Sequence, residues 1–166
     1  IIMSAGLMNF QGVEKTVDFI ADLWSKNSID QDVAVLHCVT SYPVLPEEVN
    51  LLAIKKLQGL NVTVGYSDHT VGIEAAVLSV ALGARIIEKH FTLDKNYSDF
   101  HDHQLSADPK EFSQLVERVE SALQLLGQRE KTVQKSEALV MEKVRRSIVA
   151  NKDLEEKQNP SLPNVR

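Results

Sequence analysis

The sequence predicts an α/β fold with parallel strands, and three observations carry that expectation. Short apolar runs alternate with stretches of helical periodicity from Ile1 to Leu126. The strand-like runs are too apolar for a sheet with one face in water, so they belong in a sheet covered by helices. Two of the runs end in a histidine, at His69 and His90, with a helix-like run between them. Four β/α units follow from this alternation, half the complement of an eight-stranded (β/α)8 barrel.

Each element has its own signal. Ile1–Met3 is apolar and gives way to Ser4-Ala5-Gly6, a strand running into a loop. Val13, Val17, Ile20, Ala21 and Trp24 recur at helical spacing, which predicts a helix over 13–24. Val33–Val39 has the length and composition of a buried strand. Pro46-Glu47-Glu48 opens the next helix, since proline suits the first turn and acids favour the positive end of the macrodipole. That helix is expected to reach Leu57, with Gly59 at its exit. Val62–Tyr66 reads as the third strand, Gly72–Leu82 as an alanine-rich helix ended by Gly83, and Arg85–Phe91 as the fourth strand. Thr92–Ala107 is expected to be a polar loop holding Asp99, His101, Asp102 and His103. Asp108 caps a helix that has Pro109 in its first position and runs to Leu126, where Gly127 closes it. A charged connector over Gln128–Lys135, a short helix over Ser136–Arg145, a short strand over Ser147–Ala150 and a loose tail over Asn159–Arg166 complete the reading.

Composition narrows the function. Hydrophobic residues make up 43% and charged residues 25%, the balance of an ordinary globular protein. A net charge of −5 with no basic stripe argues against nucleic acid as a partner. No apolar run reaches membrane-spanning length, so a membrane partner is not expected. The single cysteine, Cys38, excludes an internal disulfide and fits a reducing, cytoplasmic setting. The chain opens on Ile1, inside what reads as a strand, and is expected to be a piece of a longer protein.

Side chains alternate faces along a strand, so Ser67 shares a face with His69, and Glu88 shares one with His90. Neighbouring parallel strands bring these four groups side by side. Two imidazoles, a carboxylate and a hydroxyl at strand ends form a candidate site. Glu88 there can move protons or accept a hydrogen bond from an imidazole. Lys89 and Asp68 fall on the opposite face, which suits a structural ion pair. His37 reads as a packed core histidine and Cys38 as a buried bystander.

The motifs G-Y-S-D-H-T, E-K-H-F-T and L-H-C-V-T-S-Y-P resemble those of the sialic acid synthase family, over Ser4 to about Val149. The resemblance implies strands five to eight of a (β/α)8 TIM barrel, partial over 1–135. Residues 136–166 would be a linker and the approach to an antifreeze-like C-terminal domain whose body lies outside this sequence. It implies condensation of phosphoenolpyruvate with an N-acylated hexosamine such as N-acetylmannosamine, releasing phosphate. It implies His69 and His90 as ligands of a divalent ion, Mn²⁺ or Mg²⁺, and Ser67 and Ser4 as contacts to phosphoenolpyruvate. Thr40 stands where relatives contact the same substrate. The family's S-T-G-M reads S-A-G-L here, and its Gly-Pro before Asp-His is Phe100-His101. Asp102 and His103 still match, which implies a place beside the sugar. Two other readings stay open: a non-catalytic half-site, and a synthase acting on a sugar phosphate. The latter would call for an arginine or lysine cluster that the sequence does not show. A half barrel exposes two sheet edges that a partner copy or the rest of the chain must cover, and a homodimer is the expected full-length state.

Overall fold

The four named strands pair only in parallel. In a computed structural model, which describes residues 1–151 and 153, the chain forms two compact units, Ile1–Gly127 and Gln128–Arg166. In the first unit, β1 (Ile2–Ser4), β2 (Ala34–Cys38), β3 (Thr63–Asp68) and β4 (Ile87–Lys89) lie side by side in sequence order. Helices α1 (Phe10–Lys26), α2 (Ala53–Leu57) and α3 (Glu74–Ala81) make the crossovers. This is a four-stranded parallel half barrel.

Register decides which residues meet. Cys38 pairs with Ser67, and Ser67 with Glu88, so these three form one row across the sheet. Ser4 pairs with Leu36 and Leu36 with Gly65 in the row below. The alternate residues turn the other way. Val35, Val64 and Tyr66 pack with Val13, Val17, Ile54 and Leu57 into the main core. Ile87 joins Ile73, Ala76 and Leu115 in a smaller cluster that ties α3 and β4 to α5 (Pro109–Leu126). Gly65 is needed for the spacing of the rows. A Cβ there would lie 2.4 Å from Leu36 Cδ2 and 2.5 Å from the Ile86 carbonyl.

Helix ends follow capping chemistry. Asn9 caps α1 by accepting from the Gly12 N–H at 2.9 Å, so the helix begins three residues before the first periodic valine. Asp108 and Glu111 form a reciprocal capping box at the start of α5. Gly83 leaves α3 at φ +99°, a conformation L-residues avoid.

Four expectations are corrected. The helix expected over Pro46–Leu57 is broken into a 3₁₀ turn at Pro46–Glu48 and the short α2, because Asn50 sits at φ +48° and cannot continue a right-handed helix. The loop over Thr92–Ala107 contains the short helix α4 (His101–Leu105). Its last residue runs alongside β4: Ala107 N–H donates to the His90 carbonyl, and Thr92 N–H to the Ala107 carbonyl. The fourth strand is accordingly shorter, with Phe91 reduced to an isolated bridge. In the second unit, Ala138–Val144 forms α6 as expected, and of the strand expected over Ser147–Ala150 only Ala150 is in a β-bridge. The tail expected over Asn159–Arg166 lies outside the described residues.

Candidate active site

The site grows from the row Cys38–Ser67–Glu88 and the residues just beyond it. Ser67 is 2% exposed and donates its hydroxyl proton to Glu88 Oε1 at 2.9 Å. Glu88 itself is exposed, so its carboxylate keeps contact with water. Two residues on, His69 and His90 stand edge to face, ring centroids 5.2 Å apart. The four residues gathered from the sequence thus lie together on the inner face, at the C-terminal ends of β3 and β4.

The histidines differ in their surroundings. His69 is 4% exposed, and its Nδ1 lies 2.8 Å from the Val39 carbonyl, with Cys38 Sγ 3.9 Å away. A carbonyl oxygen can only accept, so Nδ1 carries the proton and Nε2 carries the free lone pair. His90 is half-buried, and its Nδ1 faces Asp102 Oδ2 at 3.8 Å. A carboxylate on that side favours the proton on Nδ1 and again leaves Nε2 as the available donor atom.

Tyr42, from the loop after β2, completes the group. Its ring lies 4.2 Å from that of His69 and 5.7 Å from that of His90. The pKa of its phenol is raised above the usual value, first by burial, then by its neighbours Cys38, Asp102 and Glu88. Sequence reasoning passed over Tyr42 because its loop has no periodicity to assign it a face.

The remaining candidates are more scattered. Asp102 reaches the centre through His90, whereas His103 binds Thr92 Oγ1 at 2.8 Å and packs on Tyr97. Ser4, the last residue of β1, and Thr40, on the loop after β2, are exposed, and a Cβ on Gly6 would touch Thr40 Oγ1 at 3.4 Å. Thr40 and Cys38 line a cleft of about 380 Å³ that also holds Lys56 and Asn50. As expected, Lys89 and Asp68 turn to the opposite face and pair at 3.0 Å, and His37 is buried with Nε2 on the Val49 carbonyl at 2.8 Å.

The donor set can be tested against a divalent ion. The two imidazoles stand edge to face, with His69 Nδ1 on the Val39 carbonyl and His90 Nδ1 on the side of Asp102. Among the described residues, no cluster of three or more histidine, cysteine or acidic side chains surrounds one point. Two imidazole nitrogens would leave the other positions of a divalent ion open to water and substrate oxygen.

Comparison with known proteins places this geometry among relatives. The sequence profile of the NeuB family matches residues 1–131. The chain is 41% identical over 155 residues to the N,N'-diacetyllegionaminic acid synthase of Campylobacter jejuni, covering 93% of this chain and 45% of that one. It is 33% identical over 151 residues to the human N-acetylneuraminate-9-phosphate synthase, covering 90% and 40%. The crystal structure of the N-acetylneuraminic acid (sialic acid) synthetase from Leptospira borgpetersenii, in complex with citrate, superposes with a TM-score of 0.73 at 35% identity, over 88% of this chain and 50% of that one. The chain spans about half the length of the curated relatives it matches.

Proposed function

This chain belongs to the NeuB family, and on that premise we propose that it supplies the metal-binding half of a nonulosonic acid synthase site. The reaction joins phosphoenolpyruvate to an N-acylated hexosamine such as N-acetylmannosamine. C3 of the enol phosphate bonds to the sugar's aldehyde carbon, water adds at C2, and the C2–O bond breaks to release inorganic phosphate. The observation that carries this reading is the pairing of His69 with His90 beside Ser67 and Glu88 at adjacent strand ends.

Each residue has a place in the reaction. His69 and His90 would hold Mn²⁺ or Mg²⁺ through Nε2, and the ion when bound supplies Lewis acidity to the aldehyde oxygen. The Val39 carbonyl keeps the His69 ring in the ligating tautomer. Glu88 is exposed and one hydrogen bond from Ser67, so it is the group placed to take a proton from the attacking water. Ser67, with Ser4 and Thr40, faces the phosphoenolpyruvate side. Asp102 and His103, on α4 and its loop, face the sugar, and Tyr42 walls the centre from above.

Phosphoenolpyruvate is a trianion near neutral pH, and charge-assisted contacts to it are roughly twice as strong as neutral ones. Lys89, next to His90 in the chain, is committed to Asp68 on the far face, and Lys56, in the neighbouring cleft, lies over the Phe10 ring. Further cations for the substrate are expected from the complementary barrel half, and the chain by itself is expected to be inactive. A phosphate-release assay with Mn²⁺, phosphoenolpyruvate and N-acetylmannosamine tests this. No release is expected from the chain alone, with release on adding the N-terminal half of a relative. His69→Ala or His90→Ala should abolish that release. Turnover by the isolated chain at a full-length rate would overturn the half-site reading, and unimpaired release by both alanine variants would overturn the metal assignment.

A further inference from the structure

Behind the two histidines, on the opposite face of the sheet, lies a buried polar network. Asp68 immediately precedes His69, Lys89 immediately precedes His90, and the pair forms the last backbone register contact between β3 and β4. The Asp68 side chain is fully buried and that of Lys89 is 1% exposed. Asp68 Oδ2 accepts from Lys89 Nζ at 3.0 Å, while Oδ1 accepts from the Thr70 N–H at 2.9 Å and the Tyr66 hydroxyl at 3.2 Å. Lys89 Nζ also donates to the Thr70 carbonyl. One carboxylate and one ammonium thus grip the chain on both sides of His69 and fix the residue before His90.

A pair this deeply buried is an expensive way to gain stability alone, because desolvation offsets most of its attraction. What it does supply is geometry. Beyond Asp68 and Lys89 the regular ladder ends, and nothing in β-sheet pairing sets the angle between the next two side chains. Tying Thr70 back to Asp68, and Lys89 across to Thr70, restrains the backbone that carries both rings. We propose that the Asp68–Lys89 pair is a positioning device that sets the mutual orientation of His69 and His90 from the far side of the sheet. The inference rests on the metal-site reading for its functional meaning, but its geometry can be tested without metal. Groups that orient a ligating histidine typically change metal affinity by 10–100-fold when removed.

The informative variant is the double substitution Asp68→Asn with Lys89→Met, which removes both charges together and leaves no unpaired one. On the metal-free full chain, histidine-ring NMR reads the His69 tautomer and the ring-to-ring contact between His69 and His90. Mn²⁺ titration by calorimetry reads affinity. The folded double variant is expected to lose the single Nδ1–H tautomer and the inter-ring contact, and to bind Mn²⁺ at least about tenfold more weakly. Lys89→Arg, which keeps the charge, should restore part of both. If the double variant does not fold, Asp68→Glu, which keeps the charge but lengthens the arm, should weaken the inter-ring contact in its place. Unchanged tautomer and inter-ring contact in a folded variant would overturn the proposal. Loss of both in a variant whose parent binds no Mn²⁺ would uphold the positioning role and overturn the metal assignment instead.

Discussion

At the residue scale, the alternation of side chains along parallel strands was enough to gather Ser67, His69, Glu88 and His90. A period of two needs no knowledge of the loops, and the loops supplied what it missed. Tyr42 and the approach of Asp102 to His90 depend on loop paths that carry no repeating pattern. The Ser67–Glu88 hydrogen bond makes a specific prediction. Ser67→Ala should cost only about 1 kcal/mol of stability by urea unfolding, because the Glu88 carboxylate it leaves stays in water. Gly65→Ala should cost more, about 1–3 kcal/mol, since its methyl would collide with Leu36 and with the backbone at Ile86. A Gly65→Ala variant as stable as the parent would show that the rows above and below the site can slide apart without penalty.

At the element scale, sequence signals that are chemically local survived and those that depend on length did not. The Asp108-Pro109 start of α5 and its Gly127 exit appear where expected, because caps act through one or two hydrogen bonds. The break at Asn50 was hidden, since asparagine is compatible with either hand in a short turn. Asp108→Ala should destabilise the first unit by about 1 kcal/mol, read from the denaturant midpoint. The α3–α5 contact offers a pH test. Arg118 donates to both oxygens of Glu74, and that hydrogen bonding holds the Glu74 carboxyl below the usual carboxylate range. Its contribution is therefore complete above the ordinary glutamate pKa and fades as pH falls through the lowered value. Arg118→Ala should lower stability slightly near neutrality, flatten the curve in that acidic window and converge with the parent below it. A parallel downward shift at all pH values would point to lost packing instead.

At the scale of the whole molecule, the parallel order of four strands was legible because each apolar run was separated by a run of helical period. The boundary after Gly127 was not, as the charged stretch Gln128–Lys135 reads equally well as a connector within one unit. Among the described residues, no helix is long and apolar enough to cross a membrane. The sheet's two margins differ. Along β4, Ala107 already engages the His90 carbonyl and the Thr92 N–H, so that margin offers a short and occupied template. The margin at β1 is Ile2–Ser4, with the Ile2 side chain 63% exposed. Precipitation of the purified chain at high concentration is accordingly expected to begin at β1. Ile2→Lys should raise the concentration at which light scattering first detects aggregates, whereas Phe91→Lys should leave that concentration unchanged, which makes β1 the margin to modify when preparing this chain for crystallisation or NMR.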